Sequence, residues 1–139
     1  VLFSCYRIYL YHPYQSFYFN ILAKKNIKDA VDVDYTGLSG LHFLKEITYL
    51  EKDKNKIYIG VASWYPLWRM TELLDKKDQD KIKILSNEDR YKSDYIYSNR
   101  ISDVDKRIYK KYNIPSNFKK IKEHNVDGAI IYEVYKKIE

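Results

Sequence analysis

Apolar positions along this chain switch between a helical and a strand period, so helix and strand are predicted in alternation. Leu41, Leu44, Ile47 and Leu50 lie three apart, with Phe43 widening the stripe, which predicts a helix from a Ser39 cap to about Lys52. Lys56–Ala62 is nearly continuous and rich in strand formers, the pattern of a buried parallel strand. Pro66 suits the first turn of a helix whose core face is Leu67, Met70, Leu73 and Leu74, ending near Lys76. Lys81–Leu85 alternates as an outer strand, and Asp94–Ser98 is the next. Ser102 caps a helix through Tyr112, with Asp103 and Asp105 in the first turn, where the helix dipole favours negative charge. Phe118–Lys122 and Ala129–Tyr135 flank Asn125–Gly128, and Asp-Gly between two such runs predicts a hairpin. Upstream, Pro13 stops any helix by His12, Ser16–Ile21 is aromatic-rich, Val31–Tyr35 alternates as a short strand, and Gly37 fits a turn.

These elements predict an α/β fold: a small half-Rossmann-like sandwich with a mostly parallel sheet and a C-terminal antiparallel hairpin. Right-handed crossovers put the 56–62 strand centrally, the 81–85 strand beside it and the 94–98 strand on its other flank, extended by the hairpin. With 139 residues the chain is one domain with room for a core, and 45% hydrophobic residues exclude a disordered chain. Cys5 is the only cysteine, which excludes an intrachain disulfide and a cysteine-based zinc site. The net charge of +6 permits nucleic acid or an anionic membrane as partner. The lysine pairs are scattered, however, and most have acids close by, which reads as a solvated face.

Val1–Tyr11 is apolar and aromatic with one charge, and as a helix would cover only about half of a bilayer core of about 30 Å. Phe3, Tyr6, Tyr9 and Tyr11 suit a membrane–water interface, and Arg7 can reach toward headgroups. Two readings stand for residues 1–12: a helix buried on the domain, or the end of a truncated transmembrane or interfacial helix preceding a single domain over 13–139. No stretch approaches the roughly 20 apolar residues of a spanning helix, and no signal peptide is recognisable.

Catalytic motifs are absent: there is no G-x-G-x-x-G, no phosphate-cradling glycine loop and no H-E-x-x-H. His12, His42 and His124 are far apart in sequence, and no metal triad is expected of them. Asp32 and Asp34 share one face of the short strand, as a paired acid site or, more commonly, as a solvated face with a capping or turn role. The most site-like cluster is Ser63, Trp64, Tyr65, Trp68 and Arg69, after the central strand at the sheet's carboxyl end, where open α/β sheets place ligands. There the aromatic rings would stack on sugars and Arg69 would hold a phosphate or carboxylate. Asn99 and Arg100 open on the same edge, and Asp34 and Tyr35 complete the candidate ligand-binding set. The commoner role of aromatics at helical spacing is core filling, which would bury Trp64 and Trp68 and leave Arg69 at the surface.

Two strings carry a resemblance: His12-Pro-Tyr-Gln-Ser-Phe-Tyr-Phe-Asn20 and Asp34-Tyr-Thr-Gly-Leu-Ser-Gly40. Asp89-Arg90, Ser93–Tyr97 and Val126-Asp-Gly128 extend it as a layout. The pattern resembles the junction between the last transmembrane helix and the small extracytoplasmic domain of bacterial polytopic glycosyltransferases of the GT-C, dolichyl-phosphate-mannose-mannosyltransferase-like type. The resemblance implies an inner-membrane parent protein with this domain on the periplasmic or extracellular side, and a polyprenyl-phosphate sugar as donor. It places the catalytic acid in an early loop outside this chain, so no catalytic residue, metal or cofactor is assigned here. The implied role is accessory: binding the glycan acceptor or shaping access to the membrane-embedded site. Two other expectations stand beside it, a free-standing α/β module for a sugar or nucleotide, with residues 1–11 buried, and a basic nucleic-acid-binding domain, which the scattered lysines disfavour.

Overall fold

In the computed structural model, which describes residues 2–14, 34, 36–99, 112–126 and 129–138, one mixed five-stranded sheet carries helices on its main face. The elements are α1 (Leu2–Leu10), α2 (Leu38–Leu50), β1 (Ile57–Val61), α3 (Trp68–Thr71), α4 (Lys76–Lys81), β2 (Ile82–Ile84), β3 (Tyr95–Ser98), β4 (Phe118–Val126) and β5 (Ala129–Lys137). The strand order is β2-β1-β3-β5-β4. As the sequence predicts, β1 lies between β2 and β3, and the hairpin extends the sheet beyond β3. The expectation of a mostly parallel sheet is corrected. β1 pairs in parallel with β2 and β3, but β3–β5 and β5–β4 are antiparallel and carry the longer ladders. The cause is local: Val126 pairs with Ala129, so the chain reverses within two residues and β5 lies against β3 without a crossover.

The main core lies between α2 and the sheet. Phe43, Leu44 and Ile47 of α2 meet Ile57, Ile59, Tyr95, Tyr97, Tyr132 and Val134, joined by Tyr11 and Tyr14 from the segment after α1. Fully burying each such aliphatic side chain contributes roughly 1.5–3 kcal/mol. α2 runs antiparallel to β3: Ser39 at its start reaches the Tyr97 hydroxyl, while Glu51 just past its end accepts from the Tyr95 hydroxyl. The start of α2 therefore sits at the carboxyl end of β1 and β3. A smaller cluster, Ala62, Ile96 and Phe118, lies apart from it.

Three local expectations are corrected. Leu50 was expected on the buried stripe but is exposed: the buried face of α2 ends at Ile47 and Thr48, and Tyr49 and Leu50 after them are both exposed. The helix expected over 66–76 is only the four residues of α3, and Leu73 is exposed while Leu67 and Leu74 stay buried. Asp75 is extended, and the Gln79 side-chain amide donates to the Leu74 carbonyl at 2.7 Å, so the chain breaks there and restarts as α4. Ser39 is not the helix cap, since Gly37 holds that position in the left-handed region. The expected segments over Ser16–Ile21 and Ser102–Ile108, the rest of that helix up to Lys111, and most of the 31–35 strand lie outside the described residues.

The contrast between Leu44 and Leu50, two positions of one apolar stripe, is directly testable. Leu44→Ala is expected to cost about 3 kcal/mol in urea unfolding, because it leaves a cavity in a packed core. Leu50→Ala is expected to stay within about 0.5 kcal/mol.

Candidate functional site at the carboxyl end of the sheet

The string Asp34–Gly40 builds the organising feature of this edge. Gly37 has φ 70°, and a Cβ there would fall inside the Tyr65 ring, so only glycine fits both the backbone and its neighbour. Tyr65 packs on this turn and its hydroxyl donates to the Thr36 carbonyl at 3.1 Å. The Gly37 amide donates to the Asp34 carbonyl at 3.0 Å, closing the turn that leads into α2. This geometry brings the Asp34 carboxylate back over the first turn of the helix. There it accepts from the Ser39 amide at 3.5 Å and from the Ser39 hydroxyl. A carboxylate at that place satisfies an otherwise unpaired helix donor and complements the helix dipole.

Asp34 is 1% exposed. The Asn99 side-chain amide donates to its carboxylate at 3.4 Å and to its carbonyl at 3.5 Å. The Tyr97 hydroxyl meets the Ser39 hydroxyl, completing a chain from Asp34 through Ser39 to Tyr97. Burial pushes the Asp34 carboxyl above the usual carboxylate range, against the opposing pull of the bonds from Ser39 and Asn99. Burial also raises the Tyr97 phenol well above its ordinary value, with the Asp34 charge adding to it. Both Asp34 oxygens are therefore turned inward onto protein donors, which makes this residue a structural hub rather than an open ligand contact.

The predicted site residues divide into three groups. Asp34, Asn99 and Tyr65 come together at the start of α2, and Ser63 is buried after β1 with a hydroxyl that has no hydrogen-bond partner. Trp64 and Trp68 are 58% and 51% exposed, so the core-filling expectation for them is overturned. Leu67, between them and just before α3, takes the buried position instead. The Arg69 guanidinium lies 5.5 Å from the centre of the Trp68 ring. Tyr35 and Arg100 lie outside the described residues. Of the residues expected at a membrane interface, Tyr6 and Tyr9 are exposed on α1, and Arg7 is half-buried over the ring of Tyr11. Tyr11 itself is buried in the main core. Phe3 lies on α1.

Sequence reasoning missed two clusters. His42 and His124 were expected apart, but their rings stand 5.7 Å from each other, with His124 stacked on Tyr132 at 5.2 Å and the Tyr14 hydroxyl 3.3 Å from the His42 Nδ1. Burial, His42 and Lys122 together hold the His124 imidazole below its ordinary pKa. His12 is exposed, and no group of three metal donors occurs among the described residues. The second cluster surrounds Arg90, whose side chain crosses Gly60 where a Cβ would collide with it. Its guanidinium donates to the Val61 carbonyl at 3.1 Å, and desolvation lowers its pKa. Because β2 ends at Ile84, Val61 has no strand partner on that side, and Arg90 takes the place of one. Asp89-Arg90 in the sequence was a visible signal for this, but only as a layout element.

A groove of about 470 Å³ lies at the other end of the domain, between the second half of α2 and the Leu73–Lys81 segment, lined by Lys45, Lys52, Lys77 and Lys81 with Asp75 and Asp78. It is away from the carboxyl edge, and its charges are mixed.

Asp34 gives a pH signature whose sign is fixed by its environment. Folding raises its pKa, so the stability tied to this group is full below the unfolded value of about 3.9 and is lost as pH rises through the folded value. Asp34→Asn should remove this dependence, so its stability relative to the parent chain should rise between about pH 4 and pH 7 in urea midpoints. Parallel pH profiles for the two proteins would contradict the assignment. Compared with known proteins, no family model, no curated protein and no solved structure matches the chain.

Proposed function

We propose that this chain is the membrane-proximal, extracytoplasmic C-terminal domain of a polytopic glycosyltransferase that uses a polyprenyl-phosphate sugar donor. Its role there is accessory: it binds the acceptor glycan or shapes access to the membrane-embedded site. The observation that carries the reading is the behaviour of α1. This helix exposes Tyr6, Ile8, Tyr9 and Leu10, while the residues just after it, Tyr11 and Tyr14, are buried in the core. An isolated soluble domain gains by folding such a helix down, since contiguous exposed apolar surface marks a partner or a membrane. A helix that continues a transmembrane segment has its apolar face in lipid and its root in the domain, and the exposure of α1 above buried Tyr11 and Tyr14 supports that reading.

The free-standing module expects residues 1–11 to be buried, and the exposure of α1 weighs against it. The resemblance of the two strings supports the membrane reading independently of α1. The parallel β2-β1-β3 unit with α2 packed along it supports the half-Rossmann-like reading of the fold, with the hairpin as an addition. No helix among the described residues is long and apolar enough to cross a membrane. In this proposal the domain sits on the periplasmic or extracellular side of the inner membrane, and the reacting residues belong to the rest of the parent protein.

The test is sugar transfer from a polyprenyl-phosphate donor by the membrane-embedded parent, with and without residues 13–139. Transfer is expected to be lost or strongly reduced while the membrane part remains inserted. Unchanged transfer would remove the proposal.

A further inference from the structure

Two pairs of side chains bridge α2 and β4. His42 and Glu46 lie four apart and share one face of α2, while Lys122 and His124 lie two apart and share one face of β4. Glu46 accepts from Lys122, and the rings of His42 and His124 meet edge to face 5.7 Å apart. Tyr14 closes on the second pair from the segment after α1. Its hydroxyl lies 3.3 Å from the His42 Nδ1, and its ring lies 5.4 Å from that of His124. Tyr132 of β5 backs the group, stacked on His124 at 5.2 Å, with the Lys122 ammonium 5.8 Å from its ring. Tyr14 is buried, while Tyr6, Ile8, Tyr9 and Leu10 of α1 before it stand exposed, so the two histidines grip the point where α1 is rooted.

We infer that His42 and His124 form a proton-sensitive latch on Tyr14: with both rings neutral they hold the root of α1 on the domain, and protonation of the pair releases it. The groups around the pair favour the neutral form. Lys122 sets a cation beside His124, and Glu46, the acid that faces the pair from α2, is already engaged by Lys122. Burial raises the phenols of Tyr14 and Tyr132 far above neutrality, so neither offers a negative charge, and Asp34 raises that of Tyr14 further. A second imidazolium 5.7 Å from the first would face a like charge. Burial first, then His42 and Lys122, hold the His124 imidazole below its ordinary value against the pull of Glu46. Tyr14 packs on that ring, so its departure returns His124 to water, and the released state binds a proton more tightly. The hold is therefore full above the ordinary imidazole value of about 6.5 and is lost as pH falls through the lower value of the closed form. The latch belongs to the domain itself and is independent of what lies before α1.

Cys5 is the only cysteine and is exposed on α1, so a nitroxide attached there reports the motion of α1 in the full chain. Its spectrum is followed from about pH 8 to about pH 5, with far-ultraviolet circular dichroism beside it. The expected result is a mobile component that grows on acidification, with its midpoint below about 6.5 and the circular dichroism unchanged. His124→Phe, which keeps a ring on Tyr132 and takes no proton, should abolish the rise. His42→Gln, at an exposed position, should cut it at least about threefold by removing the like charge, and it decides the matter where the first variant fails to fold. His12→Gln, which alters the exposed imidazole closest to α1 in the chain, should leave the rise unchanged. A spectrum that does not respond to pH, a rise that persists in full in His42→Gln, or one that vanishes in His12→Gln would overturn the inference. Mobility that grows as pH rises would overturn it too, since that is the direction imposed by Asp34. Loss of the circular dichroism signal together with the rise would also overturn it, because the whole domain would then be opening rather than the latch.

Discussion

A carboxylate removed from water must be met by donors, and at Asp34 that requirement organises the carboxyl end of the sheet. The Ser39 amide and hydroxyl and the Asn99 amide converge on it, and Tyr97 reaches it through Ser39. These donors come from three places: the first turn of α2, the middle of the sheet and the residue following β3. One buried group therefore fixes where α2 begins, how it crosses the sheet, and where the chain leaves β3. The Gly37 turn and Tyr65 then attach the loop after β1 to the same point. Leaving any of these groups without its partner would cost about 1–3 kcal/mol, which is large against the net stability of a small domain.

That arrangement decides what the rest of the edge can present. With Asp34 and Asn99 turned inward and Leu67 buried, Trp64, Trp68 and Arg69 are left facing out. The same edge holds Tyr14, through its contacts with His42 and His124, and so sets the point from which α1 departs. The string that suggests an extracytoplasmic domain is thus explained here by structure rather than by chemistry. Aspartate, glycine and serine in Asp34–Gly40 each have a packing or capping reason to be what they are. The proposed membrane role depends on the outer layer that they support.

The strands were legible in the sequence because they are apolar runs: Tyr95–Ser98 is buried on both faces, and Ile57–Val61 is buried at every position but Tyr58. The hairpin was legible from Asp127-Gly128 between two such runs. Helix ends were less so: the stripe from Leu41 continues to Leu50 at constant spacing, and nothing local marks Ile47 as its last buried position. The break at Asp75 depends on a side chain, Gln79, reaching back five residues to the Leu74 carbonyl, a contact that periodicity does not contain. At the site, the edge itself was legible from topology, and Asp34 and Asn99 do meet there. The roles of Ser39 and Tyr97 were not, because their pairing spans 58 residues and depends on the direction in which α2 crosses the sheet. The meeting of His42 with His124 likewise depends on the register of β4 and β5, which is shifted by two irregularities.

The account turns on Ser39 as the link between Asp34 and the sheet. The measurement that tests it most directly is a double-mutant cycle between Ser39→Ala and Tyr97→Phe, read by urea unfolding. If Tyr97 is held to Asp34 through the Ser39 hydroxyl, the two substitutions are coupled by about 1 kcal/mol or more, since either one breaks the same chain. Additive effects, within about 0.3 kcal/mol, would mean that the two hydroxyls act separately and would contradict the account.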